Sequence, residues 1–245
     1  MTMERGAPRT TALALAGLVV FAACGDRDAT VERDVTAATG ATASTGPTGP
    51  QPADVEATIE VGADPIGIAS GEGSLWVVNA DINAKRGSVS RIDPAGDEVL
   101  ATIRVGAVPL EVAVGEGGVW VSNSADDTVS RIDPSTNEVV AGIDVCAAPE
   151  GLAVADGSIW VVCEDDGVVA RIDPATEEMV DQVEVGLQPR FVTFAFDDIW
   201  VSSYFDGTIT RIDPMNGKVV AEITTEQGPQ IMEEAGGLLW VSCTD

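Results

Sequence analysis

The chain contains no histidine, which removes the usual general base, the serine and cysteine dyads built on imidazole, and imidazole metal sites. The chemistry that remains belongs to carboxylates and thiols. Forty acidic residues face thirteen basic ones, for a formal net charge of −27. The lysines and arginines that nucleic-acid binding demands are therefore lacking, and nucleic acid is excluded as a main partner. Asp81, Asp126, Asp127, Glu164, Asp165, Asp166 and Asp206 gather in short polar segments, where converging oxygens can take Ca²⁺ or a cationic ligand. No calcium-loop spacing is present, and solvated acidic loops explain the same residues, so no metal ligand is assigned. Glu150, Arg190, Tyr204, Phe205 and Gln230 are the polar and aromatic residues singled out for ligand or partner binding. Their grounds lie in the organisation of the whole chain.

The N-terminus reads as an address. Arg5 and Arg9, with one opposing Glu4, precede an uncharged run from Ala12 to Ala23 that ends at Cys24. That run is too short to cross a bilayer as a helix. Phe21-Ala22-Ala23-Cys24 resembles the lipobox of bacterial lipoproteins, and the resemblance implies removal of residues 1–23 and acylation of Cys24. The other reading is a plain secretory signal; either way the body is exported. Acyl chains contribute about 0.8 kcal/mol per buried CH₂, so several anchor a domain to a membrane without a spanning helix. Residues 24–54 are rich in Ala, Thr, Gly and Pro, cannot build a core, and read as a flexible tether. The folded body is expected over 55–245, on the extracytoplasmic side of the cell membrane.

A forty-residue period organises that body. Trp76, Trp120, Trp160, Trp200 and Trp240 share one place in it, and Arg-Ile-Asp-Pro recurs from Arg91, Arg131, Arg171 and Arg211. An insertion between Asn79 and Ser88 lengthens the first unit. In the second unit, Leu110 to Val114 and the run opening with Val119-Trp120-Val121 flank a Gly-rich turn and read as a hairpin. Thr128 to Asp133 alternates as a third strand, Pro134 to Asn137 makes a turn, and Glu138 to Val145 is the fourth strand. Four short antiparallel strands repeated at this period predict an all-β fold, a β-propeller of four-stranded blades.

The string from Ile103 to Ser124, followed by Thr128-Val-Ser-Arg-Ile-Asp-Pro, resembles the YVTN-type propeller repeats also found in virginiamycin B lyase-like proteins. The resemblance covers residues 57–245. It implies the propeller fold and, as one functional alternative, a lyase. In that family the lyase depends on a catalytic histidine, so no catalytic residue carries over, and a non-catalytic binding or interaction module is the expected function. The first two strands occur five times and the third only four, with Ala57 to Val61 matching an outermost strand. Two arrangements fit this count: a five-bladed ring with one incomplete blade that borrows Ala57 to Val61, or part of a larger ring. The open edge that the first would leave favours the second.

Residues that recur with the period answer to packing. The tryptophans are assigned to the cores between blades. The Arg and Asp of Arg-Ile-Asp-Pro lie on one face of a strand and are assigned to cross-strand pairing and to closing the proline turn. Function is expected where the units differ, at the loops that enter the first strand and leave the second. There Ile66, Leu110, Glu150, Arg190 and Gln230 come just after the prolines, and Glu150 beside Arg190 suggests an ion pair. Tyr204-Phe205 is the patch best suited to a partner. Cys146 and Cys163 fall at one end of the same hairpin and are candidates for a disulfide, which export permits.

Overall fold

The computed structural model describes residues 57–225 and 228–244 and the backbone of residues 21–23. Cys24 and the tether lie outside the described residues. Four sheets of four antiparallel strands succeed one another along the chain. They are β2 (Pro65–Gly71), β3 (Ser74–Asn79), β4 (Ser88–Asp93) and β5 (Glu98–Arg104); then β6 (Pro109–Gly115), β7 (Gly118–Asn123), β8 (Thr128–Asp133) and β9 (Glu138–Asp144). The next are β10 (Pro149–Ala155), β11 (Ser158–Cys163), β12 (Val168–Asp173) and β13 (Glu178–Glu184); then β14 (Pro189–Ala195), β15 (Asp198–Ser203), β16 (Thr208–Asp213) and β17 (Lys218–Thr224). A fifth blade consists of β18 (Gly228–Ala235) and β19 (Leu238–Thr244), and β1 (Phe21–Ala23) lies parallel to β19. The first hairpin of each of the first three blades turns on residues such as Glu72-Gly73, whose φ values of 49° and 68° match the twist of the flanking strands.

Trp76, Trp120, Trp160 and Trp200 are fully buried. Each packs on the next blade: Trp76 against Val112, Val119, Val121 and Ile132, and Trp160 against Val192, Ile199, Val201 and Ile212. Burial of roughly 150–250 Å² per ring contributes at most about 4–6 kcal/mol each. The arginine opposite each tryptophan in the ladder lies over its ring, at 4.9 Å for Arg91 on Trp76 and 5.6 Å for Arg171 on Trp160. Arg91 also donates to Asn137 Oδ1 of the next blade at 2.7 Å. Asp93, Asp133, Asp173 and Asp213 each accept the backbone N–H two residues on, at 2.7–2.9 Å, and close the proline turns.

Blades stack in sequence as an arc that is not closed into a ring. Ala57 to Val61, expected as an outermost strand, is not a strand. An outer strand needs a third strand to pair with, and among the described residues the fifth blade has none.

Candidate functional site

The hairpin register sets the start of each first strand beside the end of the second: Pro65 opposite Asn79, Pro109 opposite Asn123, Pro149 opposite Cys163, and Pro189 opposite Ser203. Before each of these prolines a residue takes the left-handed region, with φ of 50–54° at Asp64, Val108, Ala148 and Gln188. Its carbonyl thereby accepts the N–H of the residue just past the second strand, at 2.9–3.0 Å to Ala80, Ser124, Glu164 and Tyr204. This clamp delivers two side chains per blade to one mouth. The pairs are Ile66 with Ala80, Leu110 with Ser124, Glu150 with Glu164, and Arg190 with Tyr204. Identical backbone in four blades thus carries ionisable chemistry only in the third and fourth.

Those two blades meet there. Arg190 Nη2 donates to Glu164 Oε1 at 3.2 Å, and the guanidinium lies 4.9 Å from the Tyr204 ring centroid. Arg190 Nε is buried and has no hydrogen-bond partner among the described residues. Glu150 shares a hydrogen bond with Glu164, and its carboxyl pKa is pushed up to about 8. Burial is the main cause, then the Glu164 carboxylate, while Arg190 opposes the shift. The Glu150 carboxyl therefore keeps its proton near neutrality. The ion pair expected between Arg190 and Glu150 is made instead with Glu164, which the clamp at the end of the second strand sets beside Arg190 of the next blade.

Of the five residues singled out in the sequence, Glu150, Arg190 and Tyr204 come together. Phe205 comes next at the rim, 71 % exposed. Gln230 is held within its own blade, donating to Thr244 Oγ1 at 3.3 Å. Glu164 belongs to the cluster although the sequence marks it only as one acidic loop residue among several; its signal is its place forty residues before Tyr204. Glu111 escapes sequence reasoning altogether. Its carboxyl is raised by burial and accepts the Val112 N–H, at the position that carries Gly67 and Gly151 in neighbouring units.

Three of the loop carboxylates grouped as a potential calcium set brace the backbone. Asp126, Asp166 and Asp206 accept the N–H groups of Ala107, Ala147 and Leu187 at 2.7–2.8 Å, each tying its loop to the segment entering its own blade. Their forty-residue spacing marks them as frame. Among the described residues no three metal-ligating side chains converge. Cys146 and Cys163 are joined in a disulfide with a Cα–Cα distance of 5.7 Å. The same contact in other blades is a glycine against a polar side chain: a Cβ on Gly106 would lie 2.7 Å from that of Asn123, and one on Gly186 would lie 3.1 Å from that of Ser203.

No protein-family model and no curated protein matches the sequence. Solved structures are similar in fold. Kuenenia stuttgartiensis hydrazine synthase matches at 20 % identity and TM-score 0.62, over 74 % of this chain and 55 % of that one. A 6-phosphogluconolactonase-like protein of Bacteroides uniformis matches at 14 % identity and TM-score 0.65, over 77 % and 66 %. Apo AztD from Citrobacter koseri matches at 16 % identity and TM-score 0.50, over 72 % and 49 %. The chain spans about half to two thirds of these chains' lengths. At such identities the likeness shows the β-propeller fold and nothing of activity.

Proposed function

We propose that the protein is an extracytoplasmic, membrane-anchored β-propeller that acts as a non-catalytic binding module. Its ligand docks on the mouth of the third and fourth blades. One observation carries this reading: a backbone clamp repeated in four blades presents Glu150, Glu164, Arg190 and Tyr204 together and nothing comparable in the other two. The carboxyl pair holds a proton that a basic group on the ligand displaces to solvent, leaving both carboxylates to face the cation. Tyr204 and Phe205 offer ring surface to an apolar portion of the same ligand. Arg190 fixes Glu164 and limits the cost of gathering the carboxyls. The anchor rests on the lipobox-like Phe21-Ala22-Ala23-Cys24 and the tether behind it.

Two measurements test the reading. Mass spectrometry of protein from the membrane fraction is expected to find Cys24 acylated as the first residue, and an unmodified Cys24 in a released product removes the anchor. A screen of amine-bearing small molecules and basic peptides is expected to yield a ligand whose affinity falls at least tenfold in Glu150→Ala and Tyr204→Ala. A ligand indifferent to both variants places the binding site elsewhere.

A further inference from the structure

The first blade breaks the charge pattern of its neighbours at two adjoining places. Counted back from the third strand, Arg86 occupies the position held by Asp126, Asp166 and Asp206 in the later blades. At the end of the outer strand, Arg104 stands where the next blades carry Asp144 and Glu184. A bond of the common frame brings the two together: Val105 N–H donates to Gly87 O at 3.2 Å, as Val145 does to Asp127 and Val185 to Gly167. Gly87 packs directly on the Gly106 carbonyl, so the inserted loop carrying Lys85 and Arg86 is fixed beside Arg104.

Between them lies a cavity of about 560 Å³, within the range of small-molecule sites. Lys85, Arg86 and Arg104 line it, together with Ser88 and Thr102. Asp81 and Asp126 also border it, but Asp126 is committed to the Ala107 N–H at 2.7 Å. None of the three cations makes an ion pair among the described residues. That is unexpected where acids outnumber bases three to one, as forty does thirteen. The other arginines of the blades are taken up by the tryptophan frame or by Glu164. Two guanidinium groups and an ammonium in one lining suit a phosphate or carboxylate group.

We propose that this cavity between the first and second blades is an oxyanion-binding site for a small phosphate- or carboxylate-bearing ligand. It is separate from the mouth of the third and fourth blades, and its occupant has the opposite charge.

The test is calorimetric titration of the full chain with pyrophosphate and, separately, with citrate, each at millimolar concentration. Saturable binding of at least one is expected, at a single site. Arg86→Asp and Arg104→Asp install the residues that neighbouring blades carry, so the fold and its melting temperature should persist while affinity falls at least tenfold. Lys218→Asp, the same charge change on the outer strand of the fourth blade, should leave affinity unchanged. Response to pyrophosphate alone assigns a phosphate ligand; response to citrate, alone or with pyrophosphate, assigns carboxylate recognition. Absence of binding by either probe overturns the proposal. So does affinity that survives Arg86→Asp and Arg104→Asp, or that falls equally in Lys218→Asp, since the cations are then only a solvated surface.

Discussion

Arg190 of the fourth blade binds Glu164 of the third, 3.2 Å from Nη2 to Oε1, and Glu164 in turn shares a hydrogen bond with the Glu150 carboxyl. Arg190→Ala removes the cation that favours ionisation of the carboxyl pair. The Glu150 carboxyl is then expected to ionise at higher pH than in the wild type, a displacement read from its carboxyl carbon by NMR titration. Because the ion pair is partly exposed, the stability cost should stay near 0.5–1 kcal/mol. An unchanged or lowered midpoint would show that Arg190 does not act on the pair.

Glu150 gives the fold a specific pH dependence. Its folded pKa, about 8, lies above the value near 4.3 of an unfolded glutamate. Between those limits the native state binds more protons than the unfolded chain, so this group's contribution falls as pH rises from about 4 to about 8 and is flat above. Partial exposure moderates the loss to on the order of 1–2 kcal/mol. Glu150→Gln keeps a neutral side chain at all pH. It should match the wild type near pH 5 and exceed its melting temperature near pH 9. Equal slopes for the two proteins across this range would remove the buried proton from the account.

The Cys146–Cys163 bond can be exchanged for the contact its neighbours use. With a sequence separation of 17 residues, its loss through a double alanine variant should cost about 3 kcal/mol. The double variant Cys146→Gly, Cys163→Asn copies Gly106 and Asn123 and should recover part of that loss by refilling the space. Denaturant melts of the three proteins decide it: a glycine–asparagine variant no better than the alanine one would mean that the two packings are not equivalent.

The blade was legible because its causes are local and repeated. A proline turn, a two-residue hairpin and one tryptophan per period suffice to set four strands, and Thr128 to Asp133 agrees at both ends with β8. The mouth was legible in part. Arg190 and Glu150 stood out as departures from an apolar series, but which carboxyl accepts the arginine depends on the left-handed residue before each proline, which no residue type announces: Val108 occupies that conformation as readily as Asp64. That Asp126, Asp166 and Asp206 brace their loops is not legible, because their backbone partners are invisible in a sequence. Ala57 to Val61 has the pattern of an outer strand without the neighbour that would make it one.

The same residue type at one repeat position should have different worth depending on whether another blade covers it. Trp160 is wholly buried against the fourth blade, with Val192 and Ile212 among its neighbours, while Trp240, last in the series, retains 44 % of its surface in solvent. Removing a buried ring leaves a cavity in addition to the lost transfer energy, so Trp160→Ala should cost about 3–5 kcal/mol. Trp240→Ala forfeits a smaller buried area and leaves no enclosed void, so its cost should be less than half as large. Phe205→Ala, at a rim position, should fall within about 0.5 kcal/mol of the wild type. Urea melts of these single variants rank them directly. Should Trp240→Ala prove as damaging as Trp160→Ala, the outer face of the fifth blade must be covered in solution, and the arc would not be the state in which the protein works.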